Sequence, residues 1–276
     1  MSHSLQIELI AALVKIAVVV GFIMVAVPML VWWERKYVAD VQARIGPNRV
    51  GPFGILQSMA DGIKLLFKED ILPAHVDRAL YFLAPIMMML PALCVAAVIP
   101  FGHEITIGNY TTRLVIADLP IGVLYVLALT SVGVYGIVLA GWASNNKYSL
   151  LGGLRSSAQM VSYELPMGFA IVAALMISSA KGASSMSLVS LVEAQQGGFW
   201  NWNFLWWGPV GLLAFATYWI CGIAETNRAP FDLPEAETEL VAGYHTEYSG
   251  MKFAMFFLAE RSEEHTSELQ SHVNLV

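Results

Sequence analysis

Between residues 225 and 247 the chain places six carboxylates, Glu225, Asp232, Glu235, Glu237, Glu239 and Glu247, with one arginine, Arg228, in the gap between two strongly apolar segments. Carboxyl groups of this kind can hold and pass protons. At membrane depth each costs roughly 2.5–3.5 kcal/mol, so intramembrane acids face a bundle interior or a water-filled cavity. A solvated loop outside the membrane accounts for the same acids at no cost, and both readings stay open on pattern alone. Pro230 and Pro234 deny the stretch a simple helix and leave backbone groups in need of water or protein partners. Glu235, Glu237 and Glu239 alternate, and no single regular helix puts all three on one narrow face. The pattern suits a branching, hydrated chain of proton sites better than a metal cage. A calcium or magnesium site of oxygen ligands is the weaker alternative, and none is expected.

Two further acids stand out. Gln159, Tyr163 and Glu164 lie about two turns inside an otherwise apolar stretch, directly before Pro166. Proline removes the bond to the Ser162 carbonyl and kinks a helix, so water or a polar neighbour must satisfy what is freed. An acid beside such a kink reads as a proton relay, with a static hydrogen-bonded Glu as the alternative. Glu34 sits beside Arg35 and Lys36 at the end of the first apolar stretch. It is either a member of a surface ion pair or an acid turned into a cavity.

The elements that must carry these groups are membrane helices. Of 276 residues, 57% are hydrophobic and 13% charged, and the mean hydropathy is +0.62. Soluble domains carry about 25% charged residues, so an ordinary water-facing surface is excluded. The expected fold is all-α, a polytopic membrane helical bundle. Spans are expected at 9–33, 79–100, 118–142, 157–180 and 204–224, with a partial sixth at 251–260, all in one integral domain over 1–260. Arg35, Lys36, Arg44, Arg49, Lys64, Lys68 and Arg78 crowd the segment after the first span, whereas 101–117 and 181–203 hold only Arg113 and Lys181. The positive-inside rule therefore puts 34–78, 143–156 and 225–250 on the cytoplasmic face. In an organelle the same face would be the matrix or stromal one; a bacterial inner membrane is expected ahead of a mitochondrial one.

The Gly/Pro-rich run Ile45–Gly54 predicts a compact non-helical loop. Ile55 to Glu69 then shows helical periodicity, with Ile55, Leu56, Met59, Ile63, Leu66 and Phe67 on one face. It is too short to span and reads as an interfacial helix that can frame a lateral entrance or simply pack. Cys94 and Cys221 lie in different apolar spans without ligand spacing and read as small buried hydrophobes. Gly152-Gly153 reads as a turn dipeptide and not as part of a phosphate loop. No redox cofactor is expected on this chain, and no nucleic acid as a partner.

Several motifs together resemble one family. Glu34-Arg35-Lys36, the run Arg44-Ile45-Gly46-Pro47-Asn48-Arg49-Val50-Gly51-Pro52, Ser162-Tyr163-Glu164 and the long run Ala224 to Glu237, continued through Gly243 to Lys252, are similar to the quinone-site membrane subunit of respiratory complex I. The resemblance covers about residues 9–260. It implies a membrane component of NADH:quinone oxidoreductase that helps form a tunnel admitting ubiquinone or menaquinone from the bilayer. FMN and iron–sulfur clusters would sit on hydrophilic partner subunits, beside other membrane subunits. By the same resemblance Glu34, Arg35, Gln42, Arg44, Asp61 and Arg228 belong to the quinone approach. Glu164, Glu225, Asp232, Glu235, Glu237, Glu239 and Glu247 belong to a path coupling quinone reduction to proton translocation. The alternative is an ion-coupling anchor component of a related membrane-bound hydrogenase-type complex. A stand-alone transporter ranks last, because no internal repeat is visible. Residues 261–276 turn abruptly polar and read as a foreign or disordered tail.

Overall fold

The computed structural model describes residues 3–102, 104–107, 110–183, 185–226, 231 and 241–259. Its first helix, α1, runs His3–Val41 and outlasts the apolar stretch that predicts it. It closes on Ala43, whose φ of 53° is left-handed. The Ala43 N–H bonds the Asp40 carbonyl at 3.1 Å and the Arg44 N–H bonds the Ala39 carbonyl at 2.9 Å, which satisfies two orphan carbonyls of the last turn. The expected compact loop follows. Gly54, at φ 78°, approaches the chain so closely that a Cβ there would lie 2.3 Å from the Pro47 carbonyl oxygen, a position open only to glycine.

The remaining helices are α2 (Gln57–Phe67), α3 (Arg78–Val95), α4 (Gly122–Ala143), α5 (Lys147–Ala180), α6 (Leu188–Glu193), α7 (Asn203–Trp206), α8 (Pro209–Glu225) and α9 (Gly250–Ala259). A two-stranded antiparallel hairpin, β1 (Glu104–Ile107) and β2 (Tyr110–Arg113), interrupts them. Among the described residues, four segments are long and apolar enough to cross a membrane: Glu8–Val41, Arg78–Val98, Gly122–Ala143 and Lys147–Ala180. The protein is thus an all-α, multi-pass membrane chain apart from the hairpin.

The expected span at 204–224 is split. Gly208, at φ 52°, breaks it into α7 and a 17-residue α8, and Pro209, which lacks an N–H, suits the first position of the new helix. The expected span at 157–180 is only the second part of α5, which begins ten residues earlier, and the loop before it shrinks to residues 144–146. The turn reading of Gly152-Gly153 is overturned, because both glycines are buried inside α5. A Cβ on Gly153 would meet the Gly141 Cα of α4 at 3.3 Å. Small residues at such crossings let backbones approach where lipid supplies no drive for association.

Helix α4 packs between α3 and α5, and α5 packs on α8. Tyr81, Ala84, Met88, Ile137, Ala140, Met160, Tyr244 and Phe256 form the main core. At one end of the bundle the three basic-side segments meet. The Asp77 N–H bonds the Ala143 carbonyl, Asn145 Nδ2 donates to the His75 carbonyl, and the Ile71 N–H bonds Ser249 Oγ. At the other end the two charge-poor segments meet. Ser187 Oγ donates to Asp118 Oδ1 at 2.5 Å and the Val123 N–H bonds the Met186 carbonyl. Exposed Trp200, Trp206 and Trp207 line this outer end, where aromatic side chains favour the membrane–water boundary. Lys15, the lone cation of the first span, donates to the Val115 carbonyl at 3.0 Å and ties α1 to the outer connection.

Candidate functional site

The first group of predicted residues gathers at the C-terminal end of α1. Arg35 Nη1 donates to Asp61 Oδ2 at 2.6 Å, and Gln57 Nε2 to Asp61 Oδ1 at 3.1 Å, so one carboxylate docks α2 on α1. Trp32 Nε1 adds a bond to the Phe53 carbonyl. Partial burial pushes the Asp61 carboxyl up, but the hydrogen bonds from Arg35 and Gln57 and the charges of Arg35 and Lys64 outweigh it and hold the group below the usual carboxylate range. The apolar face of α2 stays open: Leu56, Met59, Ile63, Leu66 and Phe67 are all exposed, Phe67 at 87%. Glu34 is half-buried one position before Arg35, and Gln42 and Arg44 are exposed just past the end of the same helix. The structure thus joins Arg35 to Asp61 directly, and places Glu34, Gln42 and Arg44 at the same end of α1. Arg228 lies outside the described residues.

The second group follows α5. Ser131 Oγ, from α4, donates to Glu164 Oε1 across the helix pair. On the other side of α5, Gln159 Nε2 bonds the carbonyls of Ala224 at 2.8 Å and Phe231 at 2.9 Å, which pins the C-terminal end of α8 beside the segment carrying Glu164. The Tyr163 ring meets the Phe231 ring edge-on at 5.4 Å. Glu225 ends α8, one residue past the Ala224 carbonyl that Gln159 holds against the segment of α5 carrying Glu164. Met167, Ala170, Tyr218 and Cys221 seal the same seam with apolar contact.

Glu247 belongs elsewhere. Its Oε1 accepts from Asn146 Nδ2 at 2.6 Å and its carbonyl accepts from Tyr81 Oη at 2.7 Å. Asn146 also caps α5 through its side-chain oxygen, which accepts from the Tyr148 N–H, so the residue that starts the helix also holds the acid. Glu164 lies eighteen positions along the chain from Asn146, a rise of roughly 27 Å at 1.5 Å per residue. No single proton transfer joins Glu247 to Glu164. Asp232, Glu235, Glu237 and Glu239, the acids between Glu225 and Glu247 in sequence, lie outside the described residues.

Sequence reasoning missed Ser131, Asn146 and the ion pair of Lys252 with Asp70. Ser131 and Thr130 are a polar pair inside an apolar span, where such residues turn to a neighbouring helix. Asn146 carries an N-cap signal. Lys252 Nζ lies 2.7 Å from Asp70 Oδ2 and over the Phe82 ring at 4.0 Å, buried at the start of α9.

A family model described as NADH dehydrogenase matches residues 14–268. The chain belongs to the NADH dehydrogenase family. The resemblance carried by the Glu34-Arg35-Lys36 and Ala224 to Glu237 motifs is therefore borne out. Among its relatives, an H-type subunit of NADH-quinone oxidoreductase from Koribacter versatilis is 54% identical over 267 residues, covering 93% of the chain and 73% of the relative. The corresponding NADH-quinone oxidoreductase component of Solibacter usitatus is 57% identical over 249 residues, covering 90% of the chain and 62% of the relative. That of Cupriavidus pinatubonensis is 49% identical over 252 residues, covering 90% and 67%. The chain thus spans from 62% to 73% of the length of these relatives.

Proposed function

We propose that this chain works as the quinone-site membrane component of a proton-translocating NADH:quinone oxidoreductase in a bacterial inner membrane. In this role it borders the passage by which ubiquinone or menaquinone enters from the bilayer. It also carries a carboxylate path that couples quinone reduction to proton movement. FMN and iron–sulfur clusters belong to hydrophilic partner subunits, and the remaining membrane subunits complete the assembly.

The observation that carries the quinone assignment is the Arg35–Asp61 pair. It fastens a short helix with an open apolar face to the first span at the level where that span turns polar. An isoprenoid tail needs apolar contact at the rim of the bilayer, and the head needs polar groups just beyond it; this arrangement offers both within one turn of helix. Arg35 and Asp61 neutralise one another, so an uncharged quinone passes without facing an isolated ion.

Protons are carried by a different set of side chains. Glu164 and Glu225 flank the α5–α8 seam, and Gln159 holds the two helices in register there. Two titratable carboxyl groups on facing helices can pass a proton by way of intervening water, as a single acid held in a static hydrogen bond cannot.

A photoreactive quinone with a short tail tests the access route in the assembled complex. Labelling of residues between Trp32 and Phe67 supports it, and labelling confined to other parts of this chain contradicts it.

A further inference from the structure

The outer half of the α5–α8 seam holds a polar atom that the packing leaves without a partner among the described residues. Asn203, at the start of α7, is 4% exposed. Its Nδ2 donates to Ser178 Oγ at 2.6 Å, and its backbone N–H to Gln195 Oε1 at 3.0 Å. Its Oδ1 is buried and accepts no hydrogen bond from any described residue. A buried acceptor in that condition bears the full cost of its lost hydration, which a bound water recovers.

There is room for one. Asn203 lines a cavity of about 40 Å³ together with Ala170, Ala174, Ala214 and Tyr218, between α5 and α8. A water needs roughly 10–15 Å³ and two to four polar partners. Ser178, which fixes the Asn203 amide, lines a second cavity of about 20 Å³ against α4 and α6, and Ala174 borders both. Tyr218 lines the larger cavity and lies two turns of α8 before Glu225.

We propose that this cavity is a water-binding site anchored by Asn203 Oδ1, and that its water continues the Glu164–Glu225 path toward the outer face past Tyr218. Asn203 is a positioning residue. An amide oxygen accepts a hydrogen bond from the water but does not take up its proton, so the water is held and oriented while the proton moves along O–H groups. The relay part of this inference rests on the carboxylate path proposed above; the water site itself rests on the cavity and the buried oxygen.

The test is a map of the assembled complex at a resolution that shows waters, paired with protons translocated per electron. Wild type is compared with Asn203→Leu, which removes the acceptor, and Ala174→Val, which fills the cavity without touching a hydrogen bond. We expect water density within hydrogen-bonding distance of Asn203 Oδ1. Both variants should lose that density and translocate fewer protons per electron, while NADH oxidation by an artificial acceptor is unchanged. Absence of the density in wild type overturns the site. Normal translocation in an assembled Ala174→Val complex that has lost the water overturns the relay. A Glu164→Gln arm separates the two readings: impaired translocation there, with normal values in both cavity variants, leaves the carboxylate path standing and removes only its outward exit.

Discussion

Gly152 in α5 faces Gly243 so closely that a Cβ on Gly152 would lie 2.7 Å from the Gly243 carbonyl carbon. The contact locks the segment carrying Tyr244, His245, Glu247 and Tyr248 against the middle of the bundle, where Tyr81 and Tyr248 stack with ring centroids 4.1 Å apart. A methyl group there must displace backbone. Gly152→Ala is predicted to destabilise the protein by about 1–3 kcal/mol, the range for overpacking, and Gly152→Val by more. Thermal unfolding of the purified variants checks this, and a melting temperature unchanged in both would contradict the contact.

His245 gives this docked segment a pH dependence. Burial among Tyr244, Phe253 and Phe257 lowers its pKa from the ordinary 6.5 to about 4. Above pH 6.5 the imidazole is neutral folded or unfolded, and no penalty applies. As pH falls from 6.5 to 4 the unfolded chain takes up a proton that the folded chain refuses, so stability drops, by about 3 kcal/mol in full. His245→Phe should remove that share of the loss. Equal sensitivity to pH in wild type and variant, read from thermal unfolding at pH 7 and pH 5, would count against it.

Asp70 and Lys252 are unequal partners, because the Lys252 side chain is 10% exposed and the Asp70 side chain 50%. Asp70→Asn strands a buried ammonium and is predicted to cost about 3 kcal/mol or more. Lys252→Met leaves an acid that water can reach and fills the site with an apolar chain, so its cost should be smaller. The reverse order, from denaturant or thermal unfolding of the two variants, refutes this reading of the pair.

Much of this arrangement is legible in the chain, and the misreadings have physical causes. Long apolar runs predict α1, α3 and α4 because a membrane helix must satisfy its own backbone bonds and present apolar side chains throughout. The charge asymmetry predicts which connections share a face, and the bonds among residues 71–77, 143–146 and 249 agree. Gly152-Gly153 misleads because a glycine pair carries the same letters in a turn and at a helix crossing; only the partner glycines, Gly141 and Gly243, decide which. The hairpin at 104–113 escapes a search for apolar spans, although its Ile and Thr residues on either side of Gly108-Asn109 form a strand signal. In the candidate site, the resemblance groups Asp61 with Arg35, but the ion pair between them is seen only in the structure. The hydrogen bonds that hold Glu164 and Glu247 do not, since Ser131 and Asn146 come from other parts of the chain.

Charge reversal at Asp61 tests the quinone approach. The Arg35–Asp61 pair is partly exposed, so its loss should cost under about 1 kcal/mol of stability. Asp61→Lys instead places a third cation beside Arg35 and Lys64. The apparent KM for short-tailed quinones should rise, while electron transfer from NADH to an artificial acceptor stays intact. An unchanged KM would return Asp61 to a purely structural role.

Proton passage through Glu164 and Glu225 is measured most directly by Glu-to-Gln substitution at each, in the assembled complex. The amide keeps the shape at each position, and at 164 the hydrogen bond from Ser131, but cannot carry a proton. Both variants are predicted to assemble, to oxidise NADH with an artificial acceptor at the wild-type rate, and to lose quinone-coupled proton translocation. Wild-type quinone turnover and wild-type translocation in both variants would contradict the proton path.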